Sequence, residues 1–179
     1  MKPSIREIVA AHSTLVKMYR EAYPILRQCL GAKGIHLNHG EPKAVGREPY
    51  DVAQGIEAML ASVTKSQTLL VSGLHNSTLY ERGGNEWFRT VHDCVHLLYG
   101  LGFNPADERE VHRRLWQFLE CTQAWHALGA PQKAVVGAVY YADTFGQTNY
   151  ERRTGGFPED QGAFTIKHVQ RSLRNVQTA

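Results

Sequence analysis

Apolar residues return every third or fourth position along most of this chain, a spacing that favours helices over strands. Ile5, Ile8, Val9, His12, Leu15, Val16, Tyr19, Tyr23 and Leu26 form the first stripe, and Ser4-Ile5-Arg6-Glu7 is a capping-box pattern at its start. Gly31 and Gly34 mark its end. Residues 31–50 hold four glycines, two prolines and two histidines, His36 and His39, and read as a loop. Asp51 is positioned to cap a second helix, with Val52, Ile56, Met59, Leu60 and Val63 on its apolar face. Thr68-Leu69-Leu70-Val71 reads as a short strand or a buried extended link.

The second half continues the pattern. Gly83-Gly84 breaks the chain, and Asn85 is the expected cap of a helix over Trp87 to Tyr99. Asn104-Pro105 opens another helix, with Pro at its first position. Its stripe of Val111, Leu115, Phe118, Leu119, Thr122 and Trp125 runs on until Gly129. Pro131 starts a further helix to about Tyr141. Residues 143–163 hold four glycines and one proline and read as a loop before a last helix carrying Phe164, Ile166, Val169, Leu173 and Val176. The expected architecture is an all-α single compact domain of five or six helices spanning residues 1–179, with one short extended segment at most. Its length of 179 residues, 42% hydrophobic and 21% charged, suits one domain with a sizeable core.

Composition narrows the function classes. The net charge of +3 permits an acidic partner without demanding one. No apolar run approaches the roughly 18 residues that span a bilayer, so no membrane partner is expected. The N-terminal residues lead into an amphipathic segment rather than a signal peptide, and three widely spaced cysteines, Cys29, Cys94 and Cys121, read as reduced, buried thiols. Both features predict a cytoplasmic protein. Phosphate-cradling loop, nucleophile-elbow and dinucleotide patterns are missing from the sequence.

The chemistry concentrates in Arg89-Thr90-Val91-His92-Asp93-Cys94-Val95-His96. Histidines at i and i+4 share a helix face and can reach one point in space. Trp87, Val91, Cys94, Val95 and Leu98 make the core side of that helix, which puts His92 and His96 at its edge, with Arg89 and Asp93 on the polar side. Neutral imidazoles spaced this way are ligands for a divalent transition metal, iron or zinc. A third ligand is needed: Asp143, Glu108 and Glu110 are the carboxylate candidates, and His112 is a further option. Asp143 at the end of an apolar helix opposes the helix dipole, which a cation would explain. Two histidines and one carboxylate form the facial set of non-haem iron enzymes, and with a water they serve zinc hydrolases. Asp93 then acts as general base or orients an imidazole, and Glu108 is the alternative base. Arg89, Tyr99, Gln147 and Arg152 are the expected substrate contacts, and the polar stretch Gln147 to Gly156 with its paired arginines could close over an anionic group. The basic last helix, with Lys167, His168, Arg171 and Arg174, is a weaker candidate for contact with nucleic acid.

Phe88-Arg89-Thr90-Val91-His92-Asp93 with His96, Glu108 and Asp143-Thr144-Phe145-Gly146-Gln147 resembles a bacteriophage-borne His-Asp-x-x-His domain found in phage polyvalent proteins. That resemblance spans residues 85–162, the expected metal-binding core, and implies a phage-encoded protein working in the host cytoplasm. The layout is also similar, more remotely, to the metal-ligand arrangement of aromatic amino acid hydroxylases. There His92 and His96 correspond to the iron histidines and Asp143 to the glutamate, although the histidine spacing is four rather than five and the carboxylate lies one residue earlier. The resulting expectation is a metal-dependent oxygenase, hydroxylase or hydrolase acting on a small or nucleotide-like substrate. The competing expectation is a non-enzymatic phage accessory or inhibitor protein that binds a host protein or nucleic acid, with structural histidines.

Overall fold

The computed structural model describes residues 2–38, 43–46, 49–50, 55–73 and 83–175. It is an all-α arrangement with one very small sheet. Helix α1 (Ile5–Ala32) begins at the expected capping box: the Ser4 hydroxyl accepts from the Glu7 amide, and the Glu7 carboxylate accepts from the Ser4 amide. Ile8, Leu15, Met18, Tyr19, Leu26 and Leu30 are fully buried along it, and it packs chiefly on the helices Gly84–Tyr99 and Ala130–Tyr141. Strand β1 (Lys43–Val45) pairs in parallel with β2 (Leu70–Ser72), Ala44 opposite Val71, so the extended reading of residues 68–71 materialises one or two residues later. Between them lies α2 (Gly55–Ser66), which buries Met59 and Val63. The expected cap Asp51 lies outside the described residues.

Helix α3 (Gly84–Tyr99) starts earlier than the sequence suggests. Gly83, at φ 84°, turns the chain so that Gly84 is already helical, and Asn85 is buried in the first turn instead of capping it. Helix α4 (Pro105–Leu119) opens as expected, with Asn104 accepting from the amides of Ala106 and Asp107. It does not run to Gly129. The Thr122 hydroxyl donates to the Leu119 carbonyl and accepts from the Trp125 amide, while the Glu21 carboxylate on α1 takes the Ala124 amide. These bonds stop α4 and start a separate turn, α5 (Gln123–His126). The apolar stripe hid this break because Thr122 is itself buried.

The largest departure follows α6 (Ala130–Tyr141). Where a loop was expected, the chain passes through a π-helical turn (Ala142–Gly146) into α7 (Gln147–Thr154), which Gly155 ends in the left-handed conformation. Asp143 therefore sits inside a continuous helical path, and the dipole argument for a cation beside it lapses. Helix α8 (Gln161–Asn175) packs back on α6 and the π-helical turn. Val176 lies outside the described residues. Cys94 is buried, but Cys121 is exposed at the end of α4, contrary to the expectation of three buried thiols. Among the described residues no helix is long and apolar enough to cross a membrane.

Candidate metal centre

A helical hairpin builds the site. Gly100, at φ 63°, caps α3, and its amide returns to the His96 carbonyl. The chain reverses through residues 101–104, where Asp107 accepts from the Gly102 amide and the Asn104 side chain. Helix α4 then lies beside α3. His92 and His96 face it from one side at i and i+4; Glu108 and His112 answer from the other at the same spacing.

The contacts converge on Glu108. One carboxylate oxygen lies 3.1 Å from His92 Nε2, and the other lies 3.4 Å from His96 Nε2. The His92 ring is 4.6 Å from His96 and 5.0 Å from His112, centre to centre. Ligand-capable atoms of His92, Glu108 and His112 all fall within 4.8 Å of one another. Phe88, Phe103 and Phe145 pack on the imidazoles, with ring centres 5.5 Å from His92, 4.9 Å from His96 and 5.3 Å from His112 respectively. His96 and His112 form a buried floor, while His92 and Glu108 keep side-chain exposures of 14% and 24% at the mouth.

Each nitrogen has a distinct role. His96 Nδ1 is 2.9 Å from the Leu101 carbonyl, which can only accept, so that nitrogen carries the proton. In the neutral ring, Nε2 is then a bare lone pair, and it is buried without a hydrogen bond. His112 Nδ1 is likewise buried without one. His92 Nδ1 lies 3.4 Å from the Asp93 carboxylate.

Charge follows this layout. Burial alone would lower the His92 pKa, but the Glu108 and Asp93 carboxylates outweigh it and raise the ring to about 9. Burial works against Glu108 ionising, yet the charge and hydrogen bond of His92 hold its carboxyl well below the usual range. Burial, with the charge of His92 beside it, pushes His112 down to about 3, so this ring is neutral at ordinary pH.

The structure thus brings together His92, His96, Asp93 and Glu108, and adds His112, which the sequence offered only as an option. Its signal was the Glu108–His112 spacing of four, a mirror of His92–His96. Glu110 faces away and pairs with Arg113 and Arg114. Asp143 has its contacts elsewhere: His12 Nδ1 at 3.4 Å, Gln147 Nε2 at 3.4 Å, and a short hydrogen bond from the Thr165 hydroxyl. Gln147 is buried as that partner. Tyr99 lies under two cations, with Arg114 4.5 Å and Lys33 5.9 Å from its ring centre. Arg89 is half-buried on α3, three residues before His92, and Arg152 is exposed on α7. His39 lies outside the described residues.

No family model, curated protein or solved structure matches the chain. Functional inference rests on the geometry itself.

Proposed function

We propose that this protein is a metal-dependent enzyme whose divalent ion is held by His92, Glu108 and His112, with His96 as a fourth donor. The carrying observation is that ligand-capable atoms of His92, Glu108 and His112 lie within 4.8 Å of one another, with the buried His96 Nε2 3.4 Å from the same carboxylate. A cation among them would take up the His96 lone pair and offset the Glu108 charge at once. The spacings support this reading. Donors bonded to one ion at roughly 2.0–2.2 Å sit about 3–3.5 Å apart, and the Glu108 oxygens stand 3.1 and 3.4 Å from their histidines. The supporting bonds are those that metal-binding histidines use: a carbonyl fixes the His96 tautomer, and a carboxylate stands behind His92.

A bound ion would polarise a substrate oxygen or activate a water. The half-buried His92 and Glu108 leave the approach from solvent open, and the three phenylalanine rings exclude water from the floor. Iron, which accepts six ligands, would keep two positions free beside four protein donors; zinc would be closed by the same four. Metal identity therefore separates a catalytic from a structural centre. The resemblance to the phage-borne domain rests on several of these residues and supports the same site.

One observation favours the competing reading, a binding protein with structural histidines: His92 Nε2 and Glu108 already form a direct hydrogen bond. Elemental analysis of protein purified without an affinity tag, beside the His92→Ala/His112→Ala variant, separates the two. Near-stoichiometric iron that is lost from a still-folded variant supports the enzyme reading, whereas zinc lost in the same way marks a structural centre. Failure of either metal to bind wild-type protein, even after reconstitution, leaves the histidines as an ion-pair lock.

A further inference from the structure

A cavity of about 820 Å³ opens between α7 and α8, with Tyr141 and Gly146 also in its lining. Its size is that of a small-molecule pocket. Four cations line it: Arg152 and Arg153 from α7, Lys167 and Arg171 from α8. All four are exposed, and none has an ion-pair partner among the described residues. No carboxylate is among the lining residues. Solvated cations usually scatter; here they converge on one concavity, while Arg113 and Arg114 on α4 share Glu110 as an ion-pair partner.

The floor of the cavity is aromatic. Tyr141, His168, Phe164 and Tyr150 form a row with successive ring centres 5.9, 5.7 and 5.5 Å apart. Gly146 lies against this row, and a Cβ there would stand at contact distance, 3.4 Å, from Phe164 Cε1 and from the Tyr141 carbonyl. Tyr141 is about half exposed, so its ring is open to a ligand. Asn149 and Ser172 add two neutral polar groups to the wall.

Aromatic faces beside unpaired guanidinium groups match a planar base carrying phosphates. Every nucleobase has a face to stack, and arginine forks bind phosphate oxygens in pairs. We propose that this cavity binds a free nucleoside triphosphate, its base on the Tyr141–His168–Phe164 face and its phosphates against Arg152, Arg153, Lys167 and Arg171. The cavity is about the size of one mononucleotide, so a strand would have to run beyond its lining residues. The inference goes beyond the metal centre and does not depend on it, although Phe145 links the two: it stacks on Tyr141 at 5.3 Å and meets His112 edge-on at 5.3 Å.

Isothermal titration of the full chain tests the assignment with ATP, adenosine, tripolyphosphate and a short single-stranded DNA as probes. The expected result is micromolar binding of ATP, with adenosine and tripolyphosphate each at least about tenfold weaker, because each lacks half of the recognition. Arg152→Ala/Arg171→Ala changes two exposed side chains and should weaken ATP about tenfold or more with an unchanged circular dichroism spectrum. His92→Ala/Glu108→Gln should leave ATP affinity within about twofold, because independent sites contribute additively. Four results overturn the proposal: no heat with millimolar ATP, tripolyphosphate binding as tightly as ATP, DNA binding far more tightly than ATP, or loss of ATP binding in a folded His92→Ala/Glu108→Gln variant.

Discussion

His96 and Glu108 meet across the α3–α4 hairpin with an imidazole nitrogen facing a carboxylate oxygen at 3.4 Å and no hydrogen bond between them. Because Leu101 fixes the proton on the other nitrogen, a neutral His96 turns a lone pair toward a negative charge. Such an arrangement is unfavourable unless a proton or a metal ion occupies the gap. Either occupant makes the site sensitive to pH, and the two respond with opposite sign.

Stability of the metal-free protein should peak near pH 6.5. His12 and His112 are pushed by burial to about 4 and about 3, so below pH 6.5 the unfolded chain binds protons that the folded one refuses. Stability then falls with falling pH, by up to about 1.4 kcal/mol per pH unit for each group. His92 works the other way. Its folded value of about 9 lies above the unfolded one, so its contribution is complete below pH 6.5 and is lost as pH rises through 9. Urea midpoints of chelator-treated protein at pH 5, 6.5 and 9 check both limbs. Iron or zinc replaces the His92 proton, so metal affinity should increase with pH up to about 9 and remove the alkaline limb. An alkaline loss of the same size in metal-loaded protein would exclude His92 as a ligand.

Asp93→Asn should weaken metal binding without unfolding the chain. Asp93 lies 3.4 Å from His92 Nδ1 and stands behind the ligand nitrogen. Loss of such a supporting carboxylate typically costs about 10- to 100-fold in affinity. Competition with a chromophoric chelator measures it, and unchanged affinity would reduce Asp93 to a surface acid.

The helical nature of the chain was legible because the apolar spacing is regular and caps such as Ser4 and Asn104 carry a recognisable hydrogen-bond chemistry. His92 and His96 could be read as a pair because i,i+4 geometry is local. What the sequence hid was non-local or masked. The α4 break depends on Glu21, more than a hundred residues away, reaching the Ala124 amide. Residues 143–163 read as a loop because four glycines, a proline and many polar groups fall there. Gly146, however, lies inside the helical path and does not turn the chain. His112 joins the site only through the sharp turn at Gly100, and a one-dimensional pattern does not reveal which two helices will face each other.

Asn104→Ala should cost about 1 kcal/mol, the usual loss for an N-cap that satisfies two amides. It should also loosen the metal site, because Glu108 sits one turn beyond the cap and takes its aim from that turn. Thermal melting with and without metal checks both parts. A stability loss with unaltered metal affinity would show that the cap holds the helix but does not aim Glu108.

Asp143→Asn and His112→Ala should behave as opposites, and together they identify the ligand set. Asp143 is nearly buried and bound to Thr165, Gln147 and His12, so removing its charge disturbs contacts between α1, the π-helical turn and α8. The expected loss is about 1–3 kcal/mol of stability, the range for a buried polar group deprived of good partners, with metal content close to wild type. His112→Ala removes a ring that already sits neutral beside Glu108, so metal should be lost or bound far more weakly in a chain that still folds. Elemental analysis and denaturant melts on the two variants give the answer. Loss of metal from Asp143→Asn with retention in His112→Ala would return the carboxylate role to Asp143, and would mean that the helices rearrange when the ion binds.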